Sequence, residues 1–240
     1  MDIILLTALV FAASTIGTIT GFGLSTIMIP VVLLFYPLTQ TLFFVGIIHL
    51  FGNVWKVVLF RRGFRWKLVL GFGIPGIAAS FLGALLAFEV PAGVLSRILA
   101  GFMIIYVIYL FAKPAFKIKQ GTGSAVTGGA LSGFLAGIFG MGGAVRGLFL
   151  SAFDLPKSVY IATAGVIALF IDTTRVTTYY FEGSRLEPSI LWGMLIFIPA
   201  SFLGAKAAQL FVDKIPQKHF RKMIAIFLFL VAFKLLVFPI

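Results

Sequence analysis

The chain has 240 residues, of which 61% are hydrophobic and 11% are charged, and its formal net charge is +12. An ordinary soluble domain has about 25% charged residues, so this composition excludes one and indicates a chain that is solvated by lipid. The sequence contains no cysteine, which excludes a disulfide framework, a thiolate metal site and a cysteine nucleophile.

Continuous apolar runs cover nearly the whole chain, and most of them reach the ~20 residues that a helix needs to cross hydrocarbon. In chain order they occupy 3–19, 24–35, 38–60, 66–88, 92–112, 124–153, 157–181, 188–212 and 223–240. Strands of a membrane barrel alternate apolar and polar positions over ~10 residues, and these runs do not. The sequence therefore predicts an all-α fold, a polytopic transmembrane helical bundle of about 8 to 10 membrane segments.

Basic residues are concentrated between the apolar runs. Eleven of the 19 lysines and arginines lie in three clusters, at 61–67, 113–119 and 213–222. Such clusters are typical of cytoplasmic loops, because translocation of basic loops is disfavoured. The positive charge therefore indicates membrane topology. The lipid bilayer is the expected partner of the chain, and nucleic acid is not.

The two halves of the chain are similar in sequence. The peptide Ser-Phe-Leu-Gly-Ala occupies 80–84 and again 201–205, an offset of 121 residues. The equivalent positions around it are Gly17 and Gly137, Gly23 and Gly143, Pro37 and Pro156, Asn53 and Asp172, and Lys56 and Arg175. This internal similarity predicts two transmembrane repeats, 1–119 and 120–240.

The loop charges predict that the second repeat is inverted relative to the first. The basic loop at 61–67 corresponds to the mixed-charge loop at 182–187, and the weakly charged loop at 89–91 corresponds to the basic stretch at 213–222. With basic loops in the cytoplasm, each repeat crosses the membrane an odd number of times and both termini are periplasmic. Inverted repeats are typical of alternating-access transporters, which bind substrate between the repeats. A duplication without a mechanistic role is the alternative.

Each repeat has a glycine-rich stretch near its start, at 17–23 and at 137–143. A glycine inside a helix costs ~1 kcal/mol, so these clusters predict broken helices, although close helix packing is the alternative. The following segments are too short to span alone and are predicted to be half-helices, whose N-termini bind anions at membrane depth. The predicted site glycines are Gly21, Gly23, Gly142 and Gly143.

The duplicated halves, the glycine-rich stretches, the prolines Pro37 and Pro156 and the small size resemble the TauE/SafE family of sulfite and organosulfonate exporters. The resemblance extends over essentially the whole chain, but the first repeat has only two glycines in 20–23, fewer than the family pattern. It implies a permease of a bacterial inner (cell) membrane. The implied substrate is a small sulfur-containing anion, such as sulfite, sulfoacetate or another sulfonate, and the implied direction is export.

Ionisable residues inside membrane spans are costly, so each one is a candidate site residue. Asn53 and Lys56 correspond to Asp172 and Arg175 in the other repeat, and the spacing of three and four places His49 on the face of Asn53 and Lys56. A guanidinium can bind two oxygens of a sulfite or sulfonate, whereas an ammonium cannot do so in the same geometry. Arg175 is therefore the first candidate for substrate binding. An Asp172–Arg175 pair that only neutralises both charges is the alternative.

Four other residues have weaker signals. Arg146 directly follows the second glycine-rich stretch, beside the expected half-helix N-terminus, unless it is a loop residue in cytoplasmic water. Lys56 is a candidate cation unless its side chain extends to the interface. Either His49 or Asp172 is suited to proton coupling, but a single membrane histidine is more often a hydrogen-bonded packing residue.

These features favour a secondary transporter that exports a small sulfur-containing anion. The chain has no P-loop motif, so it does not hydrolyse nucleotide by itself. Export of a monovalent anion is favoured by ~2.3 kcal/mol per 100 mV of membrane potential. The alternatives are a non-transporting membrane subunit or scaffold and an intramembrane enzyme, for which the sequence has neither an H-E-x-x-H motif nor a cysteine. No cofactor or metal is expected, and a homo-oligomer is compatible with the sequence.

Overall fold

In the computed structural model of the chain, the described residues are 2–20, 23–60, 63–112 and 118–211, together with 229, 233, 236 and 237. Throughout these ranges the regular secondary structure is helical, which confirms the predicted helical class. In chain order the helices are α1 (Ile3–Thr20), α2 (Ser25–Val32), α3 (Leu38–Leu59), α4 (Trp66–Glu89), α5 (Ala92–Ala112), α6 (Thr122–Phe139), α7 (Gly143–Ser151), α8 (Lys157–Phe181) and α9 (Pro188–Phe211).

Several of these helices are long and apolar enough to cross a membrane. In the described part of the chain five meet this requirement, namely α3, α4, α6, α8 and α9, and α1 and α5 contain shorter apolar stretches. Large apolar side chains also cover the outer surface, as Ile74, Trp192 and Leu195 show with exposures of 65%, 72% and 71%. Such a surface requires lipid rather than water around it. The chain is a multi-pass membrane protein.

The helix breaks predicted at the two glycine-rich stretches are present. Residues 21–24 separate α1 from α2, which has eight residues, and residues 140–142 separate α6 from α7, which has nine. Gly140 follows the last residue of α6 with φ 69°, and its N–H donates to the carbonyl of Ala136. A left-handed glycine at this position is a common helix end. Gly21 lies outside the described residues.

Helices α3 and α8 pack against each other and run antiparallel. The direction follows from two contacts at opposite ends of the interface: Gly46 lies against Val176, and Val57 lies against Gly165. The beginning of α3 and the end of α8 therefore meet at one side of the protein. An open cleft of about 400 Å³ lies there and is lined by Pro37, Thr39, Gln40 and 183–187.

Helices α4 and α6 pack closely because glycines face the partner backbone. A Cβ atom on Gly129 would lie 2.8 Å from the Cα of Phe72, and one on Gly133 would lie 2.7 Å from the Cα of Gly76. Small residues allow membrane helices to approach in this way. The residue numbers increase in the same direction along both helices, so α4 and α6 are parallel. The other principal contacts join α1 to α9, α4 to α8 and α3 to α9.

Candidate functional site

A buried polar cluster lies between α3 and α8, with the carboxylate of Asp172 at its centre. The Oδ2 atom accepts hydrogen bonds from Nδ1 of His49 at 2.8 Å and from Nδ2 of Asn53 at 2.7 Å. The Oδ1 atom accepts one from Nε of Arg175 at 2.7 Å. All four side chains are buried. Buried charged groups are costly unless they are paired, and the interface between α3 and α8 is built around this carboxylate.

Asn53 connects the carboxylate to Lys56. While its amide nitrogen donates to Asp172, its Oδ1 atom accepts a hydrogen bond from Nζ of Lys56 at 3.1 Å. Lys56 is buried. In this structure the side chain of Lys56 therefore does not extend to the membrane interface. Its ammonium points inward and donates to the amide of Asn53.

Arg146 is the fourth residue of α7 and is buried, so it is not the loop residue in cytoplasmic water that the sequence left open. Together with Lys56 it lines a cavity of about 10 Å³, which has room for about one water molecule. Thr18 of α1 lines the same cavity, and its Oγ1 atom is buried with no hydrogen-bond partner among the described residues. Two cations and a spare hydroxyl form an environment suited to an anion.

Two polar atoms of the cluster lack a hydrogen-bond partner among the described residues, namely Nη1 of Arg175 and Nε2 of His49. Each faces one of the helix breaks. A Cβ atom on Gly140 would lie 3.1 Å from Nη1 of Arg175, and one on Gly23 would lie 2.5 Å from Nε2 of His49. Both glycines have positive φ, 69° and 83°, a region that other residues rarely adopt. The absence of a side chain at each break thus allows a spare polar atom to pack closely against the glycine.

The predicted site glycines differ in whether they lie beside the polar cluster. Gly23 lies against His49, whereas Gly142 packs against α6, where a Cβ atom would lie 2.8 Å from Cβ of Ala136. Gly143 is the buried first residue of α7. Gly140 lies beside Arg175, as Gly46 also does, and the sequence analysis did not single it out. Its position directly after the apolar run of α6 was the available signal, since a glycine there is the usual helix end.

Tyr179 is a second residue that the sequence analysis missed. It lies one turn after Arg175 on α8 and is fully buried, and its hydroxyl donates to the carbonyl of Gly137 in the last turn of α6. The hydrogen bond joins α8 to the helix that ends at the second break. A tyrosine four residues after a buried arginine was the available signal, because residues at this spacing share a helical face.

The charges of the cluster do not balance. Lys56, Arg146 and Arg175 carry three positive charges, and Asp172 is the buried acidic residue that faces them among the described residues. The buried positive charges thus outnumber the buried negative charge of Asp172 among the described residues. An excess positive charge in a low-dielectric interior favours a bound anion, and the spare N–H of Arg175 provides a directed hydrogen bond to it.

Comparisons with known proteins identify the family of the chain. A search of curated proteins gave no match. A family model described as "Sulfite exporter TauE/SafE" matches residues 6–235, which is nearly the whole chain. The match agrees with the resemblance that the glycine-rich stretches and the duplicated halves indicated. The chain therefore belongs to the sulfite exporter TauE/SafE family of membrane transporters.

Proposed function

We propose that the protein is a secondary transporter that exports a small sulfur-containing oxyanion, such as sulfite, sulfoacetate or another sulfonate, across a bacterial inner membrane. Family membership supports this class of substrate. The observation that carries the proposal is the state of Arg175. Its guanidinium is completely buried and is held at Nε by Asp172, and its Nη1 beside Gly140 has no hydrogen-bond partner among the described residues. An arginine that only neutralised Asp172 would not need a buried N–H without a partner.

Sulfite and sulfonates present several oxygens around one sulfur, and a guanidinium offers a planar set of donors that matches two of them. Lys56 and Arg146 add positive charge on the other side of Asp172. The cavity that these two residues line has a volume of about 10 Å³, too small for an anion of four heavy atoms. The small volume indicates that the site is closed in this conformation and has to open before the substrate binds.

The packing of the helices supports an inverted repeat. Helices α3 and α8 occupy equivalent places in the two halves, yet they run antiparallel. The contact of α4 with α6 has an equivalent in that of α9 with α1, and the contact of α4 with α8 has one in that of α9 with α3. A two-fold axis in the membrane plane produces this exchange of partners. We infer two inverted repeats, 1–119 and 120–240, with 8 to 10 membrane segments and periplasmic termini.

This topology predicts which residues of the site lie closer to the cytoplasm and which lie closer to the periplasm. If the basic loop that follows α3 is cytoplasmic, Lys56 lies closer to the cytoplasm than His49 does, and the start of α8 is cytoplasmic as well. Lys56 and Arg146 then receive the anion from the cytoplasm, and Nη1 of Arg175 lies further towards the periplasm. Alternating access would expose the two sides in turn.

The test is anion efflux from proteoliposomes that are loaded with sulfite, sulfoacetate or sulfate, for the wild type, Arg175→Ala and Arg97→Ala. Arg97 is an exposed arginine of α5 and serves as the matched control. We expect efflux of at least one sulfur oxyanion by the wild type and by Arg97→Ala, and its loss in Arg175→Ala. If the folded wild type moves none of the three anions, the transport proposal fails and a non-transporting subunit becomes the better interpretation.

A further inference from the structure

Asp172 occupies the position at which an oxyanion would be best bound. Its two oxygens accept hydrogen bonds from Arg175, His49 and Asn53, which come from both α3 and α8. A sulfite or sulfonate oxygen accepts hydrogen bonds from the same kinds of donor. The carboxylate of Asp172 is therefore chemically similar to the substrate, but it is part of the protein chain.

We propose that Asp172 is a tethered competitor of the transported anion: its carboxylate holds the central anion position between transport events, and the substrate must displace it. This inference rests on the proposed function. The substrate first meets Lys56 and Arg146, then exchanges with the carboxylate at Asn53, His49 and Arg175. The returning carboxylate displaces the substrate towards the spare Nη1 of Arg175.

The charges give a physical reason for such a competitor. Without Asp172, three buried cations would surround the site. A single small anion would be held strongly there, because few water molecules screen the attraction. Transport requires binding that is favourable enough for entry and weak enough for release. A resident carboxylate lowers the net charge of the empty site and replaces the hydrogen bonds of the departing anion, so the donors are not left unsatisfied.

The hydrogen bonds around Asp172 permit the exchange in steps. Arg175 uses Nε for the carboxylate and keeps Nη1 unpartnered among the described residues. Asn53 donates to Asp172 and accepts from Lys56, so a substrate near Lys56 is one side chain away from the carboxylate. An incoming anion can therefore form its first hydrogen bonds before every bond to Asp172 has broken. Stepwise exchange avoids a state in which several buried donors are free.

The test compares the wild type with Asp172→Asn, which keeps the size of the side chain and removes its charge. Equilibrium binding of radiolabelled sulfite to the purified proteins gives Kd, and efflux from proteoliposomes gives kcat and KM. We expect Asp172→Asn to bind sulfite at least about tenfold more tightly and to release it more slowly, so that Kd, KM and kcat all fall. Binding that is unchanged or weaker in folded Asp172→Asn would overturn the proposal, since a purely structural carboxylate predicts that result.

A second measurement needs no change at Asp172. Infrared difference spectra of the wild type, recorded with and without sulfite, report whether a carboxylate loses its partners when the anion binds. We expect a shift of a carboxylate stretching band that is absent in Arg175→Ala. Saturating sulfite that leaves the carboxylate bands of the wild type unchanged would overturn the proposal. A wild type that neither binds nor transports any sulfur oxyanion would instead remove the proposed function itself, which separates the two failures.

Discussion

Asn53 of α3 and Asp172 of α8 are joined by a hydrogen bond of 2.7 Å, and they occupy equivalent positions in the two halves of the sequence. Two equivalent residues in direct contact have to lie near the axis that relates the halves. The polar cluster is therefore placed where the proposed repeats meet. The two partners differ chemically: an amide can both donate and accept, so Asn53 links the carboxylate of Asp172 to the ammonium of Lys56.

Arg175→Lys tests whether the guanidinium fork matters beyond its charge. A lysine keeps the positive charge next to Asp172 but has no equivalent of the spare Nη1. We expect sulfite efflux to fall by about 10- to 100-fold, which corresponds to the loss of a hydrogen bond to a charged group. The measurement is the initial efflux rate from proteoliposomes, with Arg97→Lys as control. An Arg175→Lys variant with wild-type efflux would show that charge alone is sufficient.

Gly140→Ala tests the space beside Arg175. The new Cβ atom would overlap Cδ1 of Ile29, would lie 3.1 Å from Nη1 of Arg175, and would stand on a residue with φ 69°. Gly183→Ala is the matched control, because Gly183 has φ 94° and no atom within 4 Å of an added Cβ. Both variants should lose about 1–2 kcal/mol of stability from the backbone conformation, and Gly140→Ala should lose more because its Cβ atom overlaps Ile29. Only Gly140→Ala should also lose most of its sulfite efflux, and equal efflux in the two variants would contradict a role for this space.

The sequence analysis named several residues of the buried polar cluster, and the reasons for its omissions are physical. Alignment of the repeats paired Asn53 with Asp172, and helical spacing placed His49 on the same face. Neither signal gives distances between helices, so the contact of His49 with Asp172 was not predictable from periodicity. The glycine-rich stretches located the breaks. The glycine that takes the left-handed conformation is the one that directly follows the end of α6. Helix packing determines where α6 ends, and in this structure that glycine is Gly140.

Gly133→Ala tests the parallel packing of α4 and α6. A Cβ atom at Gly133 would overlap the backbone of Gly76, which cannot move as a flexible side chain can. We expect a loss of about 1–3 kcal/mol, as for other overpacked positions, and a lower Tm in detergent. Gly123 lies on the same helix and has open space around an added Cβ. Gly123→Ala should therefore stay within about 0.5 kcal/mol of the wild type. Equal Tm values for both variants would argue against close contact of the two backbones.

Arg146→Gln tests the path by which the anion reaches the site. Arg146 and Lys56 line the small cavity on the side of Asp172 that is cytoplasmic in the proposed topology. Glutamine keeps a polar side chain there but removes the charge that attracts the anion. We expect KM for sulfite presented from the cytoplasmic face to increase by about 10-fold, since a charged hydrogen bond contributes about 1.5–3 kcal/mol. Uptake into inside-out vesicles measures this value directly.

The control for Arg146→Gln is Lys206→Gln, which removes an exposed cation of α9. Its KM should equal that of the wild type, because a charge on the outer surface is screened and lies away from the cavity. The kcat of Arg146→Gln should change less than its KM, since Arg146 does not bond to Asp172 and the exchange at Arg175 is left intact. A loss of kcat with unchanged KM would mean that Arg146 acts during the conformational change rather than in loading.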